Sequence, residues 1–546
     1  MKVLINQQPY EFKEPQTILA ACTAVGIQIP TLCYEKSIGA IASCRVCVVK
    51  VVGRRGFVTA CNTPITDGMQ IITNDAEVFA ARKTTLELLL ADHRLHCLSC
   101  HRADDCRLRR FATQYGANKG AYAPSKPLPE IAKDQKHIVR DNGKCIRCGR
   151  CVKVCHDMQG VGVLGTLGRG FDGEIGCAFG EGLDTTTCIS CGQCVANCPT
   201  GALVENSNLP LLMEKLSDPN VHCVIATAPS VRVAIGEGFG LPSGTNAQGK
   251  MVAALRRAGF DKVFDLDFGA DLTVMQEGAE LLERLRTGKN LPQFTSCCPG
   301  WVNYVEQMHP ELLPHLSTAK SPMGMFGAVV KTYYAKKMGL DPKKIFTVML
   351  MPCIAKYDEI TRDDIKDVDM VLTTRVAVRF LKQQGIDLAH MPDEAYDNPL
   401  SLSSGAGLMF GTSGGVCEAT LRTIGDQLPR PLKTIVVSGI ANAEQLIQKI
   451  KNGQADYDFI EIMACPGGCV NGGGQPSDTG MIQDNRGNAQ KRAATIKRMD
   501  KYQSLHKSSD NPAIQELYRD FLGDTDSKLA RKLLHTRFRD RSQRKS

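Results

Sequence analysis

Hydrophobic and polar positions follow two rhythms along this chain. At the N-terminus MKVLI reads as a strand, Asn6-Gln7-Gln8 as a turn, YEF as a second strand and Thr17–Val25 as a short helix. EVFAARKTTLELLLADH, residues 77–93, has helical spacing, and 116–136 reads as loop. From about 208 to 480 short apolar runs alternate with helical stretches. The runs are HCVIATA (222–228), KVFDLD (262–267), 292–296, FTVMLM (346–351), TIVVSG (434–439) and 458–463. That alternation predicts parallel sheets in an α/β region. Residues 481–546 are helical in pattern over RGNAQKRAATIKRMDKY, NPAIQELYRDFL and SKLARKLLHTRF, and RDRSQRKS reads as a disordered basic tail.

At 546 residues the chain exceeds one core, so several domains are expected. Hydrophobic content of 43% and charged content of 23% are those of a soluble globular protein. The 24 cysteines change the picture: their C-x2-C spacing argues for metal sites rather than disulfides. MKVLINQQPYEF carries no secretory pattern, no twin-arginine signal appears, and no apolar run approaches the roughly 18 residues of a membrane span. A cytoplasmic, reducing, anaerobic setting is expected. The net charge of +9 suits an acidic partner as well as a solvated surface, and no nucleic-acid partner is expected.

The cysteines fall into sets. Cys33, Cys44, Cys47 and Cys61 have ten, two and thirteen residues between them. A C-x2-C pair joined by distant cysteines suits a 2Fe–2S cluster, with zinc as the alternative; Cys22, on the helix, is expected to pack rather than ligate. The set resembles plant-type ferredoxin domains, with one loop a residue short and its return a residue long. Next, His93-x3-Cys97-x2-Cys100-x5-Cys106 resembles the His-plus-three-Cys 4Fe–4S site of the hydrogenase and complex I families, with His96 and His101 as rivals to His93. Then C-x2-C-x2-C-x3-C occurs twice, at Cys145, Cys148, Cys151, Cys155 and at Cys188, Cys191, Cys194, Cys198. Bacterial two-cluster ferredoxins exchange the fourth ligand between runs. The expected sets are therefore Cys145, Cys148, Cys151 and Cys198, and Cys188, Cys191, Cys194 and Cys155. Cys177, in the glycine-rich insert between the runs, is expected to ligate nothing.

Downstream, Thr295-Ser296-Cys297-Cys298-Pro299-Gly300-Trp301 holds adjacent cysteines, whose Cα atoms lie about 3.8 Å apart, too close for an unstrained disulfide. One thiolate is free to bind metal while the other carries a proton. MPCIAKYDE (351–359) and EIMACPGGCVNGGGQP (461–476) complete a quartet, Cys298, Cys353, Cys465 and Cys469, the last two placed at i, i+4 on one helical face.

These three loops resemble the signature loops of FeFe hydrogenases, which interconvert protons, electrons and hydrogen at an H-cluster. The resemblance implies an N-terminal β-grasp 2Fe–2S domain (1–76), a His-ligated 4Fe–4S domain (77–115) and a two-cluster ferredoxin domain (137–207). A two-lobed α/β catalytic domain (208–480) and a small-subunit-like helical segment (481–546) follow. It implies one 2Fe–2S cluster, three accessory 4Fe–4S clusters, and an H-cluster. The last is a cubane on Cys298, Cys353, Cys465 and Cys469, with Cys469 bridging to a two-iron unit carrying CO, cyanide and azadithiolate. Lys356 matches the cyanide contact; Ala228, Pro229 and Ser230 match a contact loop; Met351, Phe410 and Met463 match cage positions, ordinary core packing being the alternative. Glu277, Glu280 and Arg284 share a helix face. With Ser317 and Cys297 they match the family's proton route, which runs from Arg284 and Glu280 outside, through Ser317 and Glu277, to Cys297. Met323 and Cys417 depart from the family's usual glutamine and methionine, and the segment from Arg422 to Phe459 is short. The implied partners are ferredoxin or a similar acidic carrier, maturation proteins, and NADH-oxidising flavoprotein subunits, since no G-x-G-x-x-G follows a strand here. A bifurcating-complex subunit, a slow hydrogen sensor and an iron–sulfur assembly relative are the rival readings.

Overall fold

The computed structural model describes all residues except 126, 130, 132–136 and 544–546. Part of the 116–136 loop therefore lies outside the described residues; the rest is irregular apart from a 3-10 turn, Lys119–Ala121.

The first sheet joins β1 (Lys2–Ile5), β2 (Gln8–Glu11), β3 (Val48–Val51), β4 (Phe57–Thr59) and β5 (Gln70–Ile72) in the order β2-β1-β5-β3-β4. Alternation in KVLI buries Val3 and Ile5 while their neighbours face outward. The hairpin turns on Asn6 and Gln7, both at positive φ (50° and 69°), the twist that suits a tight hairpin. Asn6 Oδ1 also accepts from the Thr73 amide at 2.8 Å, tying the turn to the end of β5. Helix Ile18–Ala24, capped by the Thr17 hydroxyl, buries Cys22 in this core. Burial pushes that thiol up to about 12. Cys22 packs, as expected.

Helix Ala76–Ala91, capped by Asp75, delivers His93 to the following loop. A small hairpin-like pair, β6 (Ile138–Arg140) with β9 (Leu203–Glu205), closes the segment holding the repeated cysteine runs. The insert between the runs forms β7 (Gly165–Leu167) and β8 (Glu174–Gly176).

The α/β region has two parallel sheets. One is β11-β10-β13-β14, from β10 (His222–Thr227), β11 (Lys262–Asp265), β13 (Ile345–Met351) and β14 (Met370–Thr373). The other is β12-β16-β15, from β12 (Gln293–Phe294), β15 (Thr434–Ser438) and β16 (Phe459–Met463). All seven residues of β13 and all five of β16 are buried, as parallel strands covered on both faces must be. Both sheets direct their carboxyl ends toward one cavity, where open α/β folds place their chemistry.

The C-terminal helices pack onto these lobes. Arg492, fully buried on helix Asn485–Lys501, pairs with Glu237 at 2.6 Å and donates to the carbonyls of Val470 and Pro476. The tail corrects an expectation. The Arg541 amide donates to the Glu306 carbonyl and the Arg539 amide to its carboxylate, so the chain is ordered through this stretch. Buried Glu306, already paired with Arg362, supplies the anchor. Residues 544–546 lie outside the described residues. No helix of the described chain is long and apolar enough to cross a membrane.

Candidate metal centre and proton route

Cys297 and Cys298 follow β12 and precede helix Pro299–Met308, with Pro299 in its first turn. Cys353 comes two residues after β13, and Cys465 two residues after β16. Cys298, Cys353, Cys465 and Cys469 all line one cavity. Cys465 and Cys469 do not share a helical face. Gly467 and Gly468, at φ 85° and 90°, turn the chain between them, and Cys469 opens a 3-10 turn. A Cβ on Gly468 would collide with the backbone of Thr412 and Ser413, so this loop needs glycine there.

Every contact expected from the sequence lines the same cavity: Ala228, Pro229, Ser230, Met351, Phe410, Met463 and Lys356. Met323, noted only as a departure, lines it too. Lys356 is buried, donates to Ser321 Oγ at 2.9 Å and pairs with Glu359 at 2.6 Å. Burial opposes its charge, but the Glu359 carboxylate prevails and its pKa is raised. A fixed ammonium therefore faces an otherwise apolar chamber. The Ser230 hydroxyl is buried there without a partner. Four thiols, one ammonium and an orphaned hydroxyl around apolar walls fit a cysteine-held cluster with anionic ligands. Among the described residues no three His, Cys, Asp or Glu side chains close on the spacing of a single ion. A lone zinc would draw its thiolates to about 2.3 Å from one centre, whereas a cubane holds them apart.

The proton-route residues also come together. Glu277, Glu280 and Arg284 lie on helix Asp267–Thr287. Arg284 pairs with Glu280 at 2.6 Å, and Ser317 Oγ donates to Glu280 Oε2 at 2.9 Å. Glu277 lies between Ser317 and Cys297; burial and the nearby Glu280 and Glu461 push its carboxyl up to about 8. One expectation needs correction. Arg284 is not outside: it is 7% exposed and donates to the carbonyls of Asn290, His315 and Leu316. It clamps the helix to the Ser317 loop.

Sequence reasoning missed three participants. Glu461, in the middle of apolar β16, accepts from the amides of Gly414 and Cys417, and burial pushes it up to about 7. A charged residue inside FIEIM was the available signal. Gln193 donates to Cys465 Sγ at 3.2 Å and to the Asn471 carbonyl at 2.7 Å. Glu359 had no signal beyond its i, i+3 spacing from Lys356.

The other cysteine sets converge as well. The Cys33 thiol contacts those of Cys44 and Cys61, and Cys47 contacts Cys61. Cys145, Cys148 and Cys151 neighbour Cys198, while Cys188 and Cys194 neighbour Cys155, with Cys191 beside Cys188 and Cys194. His93 is buried with Nδ1 unpartnered, and burial lowers its pKa to about 4, so the imidazole stays neutral. His96 and His101 are exposed. Cys97, Cys100 and Cys106 sit in the same small segment, and a Cβ on Gly201 would strike Cys100 Sγ at 2.6 Å. That contact brings the set against the Cys198 loop.

A chamber of four cysteine thiols, reached by further cysteine sets and a buried carboxylate chain, defines an iron–sulfur oxidoreductase. Residues 221–473 match the family described as "Iron only hydrogenase large subunit, C-terminal domain", and 486–541 match "Iron hydrogenase small subunit". Residues 1–76 match a 2Fe-2S iron-sulfur cluster binding domain. Residues 82–120 match the NADH-ubiquinone oxidoreductase-G iron-sulfur binding region, and 136–204 the ferredoxin-like domain of NADH-quinone oxidoreductase subunit 3. The chain is 42% identical to the NADP-reducing hydrogenase subunit HndD of Solidesulfovibrio fructosivorans, over 98% of each chain. It is 36% identical to iron hydrogenase 1 of Clostridium pasteurianum, over 98% of this chain and 99% of that one. A solved apo [FeFe]-hydrogenase variant from Chlamydomonas reinhardtii superposes with a TM-score of 0.55 at 37% identity, covering 61% of this chain and 99% of that one. The chain belongs to the FeFe hydrogenases, mixed α/β enzymes with N-terminal ferredoxin-like iron–sulfur domains, and interconverts protons and electrons with hydrogen.

Proposed function

We propose that the chain is a relay of five segments, 1–76, 77–115, 137–207, 208–480 and 481–546, feeding one H-cluster. Cys33, Cys44, Cys47 and Cys61 hold a 2Fe–2S cluster. His93, Cys97, Cys100 and Cys106 hold a 4Fe–4S cluster, and the two exchanged cysteine sets hold two more. Cys298, Cys353, Cys465 and Cys469 would hold the H-cluster, with Cys469 the ligand proposed to be shared with its two-iron unit. When bound, that group would supply the redox chemistry that joins protons to the electrons delivered by the relay. The protein's own residues do the rest. Lys356 and Ser230 orient anionic ligands, while Met351, Met463, Phe410 and Met323 exclude water. Glu280, Ser317, Glu277 and Cys297 deliver protons one at a time.

The observation that carries the electron path is the packing of the second cysteine run on the cavity loops. Gln193 bonds Cys465 Sγ, and a Cβ on Gly473 would run into the Cys191 carbonyl. Two N-terminal contacts feed the other end. Arg150 donates to the Leu32 carbonyl beside Cys33, and the Arg107 amide, beside Cys106, donates to the Pro199 carbonyl beside Cys198. Both outer clusters thus abut the Cys145–Cys198 set, a branched path with two intakes.

The donor is reduced ferredoxin or a similar acidic carrier, and maturation proteins install the two-iron unit. A second reading is favoured by HndD, named as a subunit of an NADP-reducing hydrogenase: the chain then works beside flavoprotein subunits that handle the nicotinamide. A cytoplasmic location accords with 24 cysteines, none in a disulfide. The test is hydrogen evolution by anaerobically purified protein with its two-iron unit installed. Fast evolution from reduced viologen and from reduced ferredoxin is expected. Evolution from NADPH only when partner subunits are added supports the second reading; none from a fully metallated sample turns the reading to a hydrogen sensor.

A further inference from the structure

With Arg284 buried, partly exposed Glu280 is the outermost carboxylate of the route. Besides Ser317, it accepts from the Thr318 amide at 2.8 Å and from the Thr318 hydroxyl at 3.3 Å. Thr318 Oγ1 lies 2.7 Å from His535 Nδ1, a residue of the C-terminal segment. Two backbone bonds fix that segment against the loop, Thr536 N to Thr318 O and Lys320 N to Leu534 O, each 2.8 Å. Thr318 and His535 both line a wide surface groove. Nothing in the resemblance assigned either residue a role.

The hydrogen bonds around the imidazole set its tautomer. Gln276 Nε2 donates to the Tyr518 hydroxyl at 2.6 Å, which turns Gln276 Oε1 toward His535 Nε2 at 2.8 Å. An amide oxygen only accepts, so Nε2 carries a hydrogen in every charge state. The titrating nitrogen is therefore Nδ1, the one aimed at Thr318.

We propose that His535 loads protons into the route through Thr318, a role that rests on the hydrogenase function above. With the His535 ring turned off Thr318 into the groove it lines, Nδ1 takes a proton from hydronium or a buffer acid, leaving water or the conjugate base, and the ring swings back onto Thr318. The Nδ1–H bond then breaks as a new O–H bond forms on Thr318, and the former Thr318 O–H bond breaks as one forms on Glu280 Oε1. One proton enters and one leaves at each step, and no electron moves. Rotation of the Thr318 hydroxyl resets the relay. The C-terminal segment thereby completes the proton path as well as covering the lobe.

His535 is faced by Glu280 from the long helix, by Lys320 from the adjoining loop, and by Arg531 and Asp526 of its own segment. Burial, with Arg531 and Lys320, outweighs the two carboxylates and lowers its pKa. The relay is fullest below that value.

The test uses the enzyme with its H-cluster installed, comparing hydrogen evolution from pH 5 to 9 in wild type, His535→Gln, Thr318→Val and Thr318→Ser. His535→Gln and Thr318→Val should each slow turnover on the order of tenfold or more at unchanged iron content. Thr318→Ser should recover what Thr318→Val loses, and added imidazole should rescue His535→Gly. A readout independent of turnover is NMR of 13C-histidine-labelled enzyme, with the His535 signal identified by its loss in His535→Gln. It should show the Nε2–H tautomer when neutral. An Nδ1–H tautomer, or His535→Gln with the wild-type rate and pH profile, overturns the proposal. Should His535→Gln lose iron or fail to fold, the Thr318 Val/Ser pair decides. A fully loaded wild type that makes no hydrogen overturns the function itself, a separate outcome.

Discussion

Gln193 Nε2 lies 3.2 Å from Cys465 Sγ, so a residue inside the second ferredoxin-like cysteine run donates to a thiol of the catalytic chamber. The same amide holds the Asn471 carbonyl, and the close backbone approach is possible because Gly473 has no side chain. An N–H donor stabilises the extra negative charge that a thiolate-held cluster gains on reduction. Gln193→Leu should therefore lower the catalytic cubane's reduction potential and slow electron delivery while iron content stays constant. Redox titration followed by electron paramagnetic resonance reads the shift; an unchanged potential assigns Gln193 to packing alone.

Cys297 lies beside Glu277 but is not one of the four proposed ligands. Cys297→Ala should leave iron content unchanged and lower turnover by at least roughly a hundredfold, the scale of a lost proton-transfer group. Cys297→Asp, which keeps a titratable atom there, should recover part of the rate. Hydrogen evolution and iron analysis of the two variants decide it.

Glu277 makes stability depend on pH with a definite sign. Its folded pKa, about 8, is above the unfolded value. Its neutral form is favoured on folding, so the stabilisation is complete below the unfolded pKa of about 4.3 and is lost as pH rises through about 8. Glu277→Gln, neutral at every pH, removes this dependence. The variant's unfolding free energy should match wild type near pH 5 and exceed it near pH 9, by about 1–4 kcal/mol. Its turnover should be lost at both. An unfolding difference of the same size at pH 5 and pH 9 sinks the assignment.

His93 presents a buried, neutral imidazole with an unused nitrogen. His93→Ala should lose one cluster's iron. His93→Cys should retain it at a lower potential, because an anionic thiolate replaces a neutral ligand. The same substitutions at His96 or His101, both exposed, should change neither. Iron content and potentiometry of the variants measure the outcome.

Much of this arrangement was legible as local pattern. Runs such as FTVMLM, apolar except at Thr347, became fully buried strands because a short run without polar alternation suits a strand covered on both faces. The cysteine sets were legible because spacing limits which thiols one loop can present. The i, i+4 reading of Cys465 and Cys469 failed for the opposite reason: two glycines at positive φ break the helical spacing that the numbers alone suggested. The tail was misread because its arginines looked solvated, and buried Glu306, some 230 positions away, was out of view.

By itself, then, the sequence determined the elements, the cysteine-bearing loops and the family, all of which depend on neighbours a few residues apart. Tertiary structure decided what depends on distant partners. It buried Arg284 beneath three carbonyls, brought Gln193 to Cys465, and set His535 against Thr318 across 217 positions. The physical reason is burial. A side chain's charge and the direction of its hydrogen bonds are set by which groups exclude water around it, and chain order does not specify those groups.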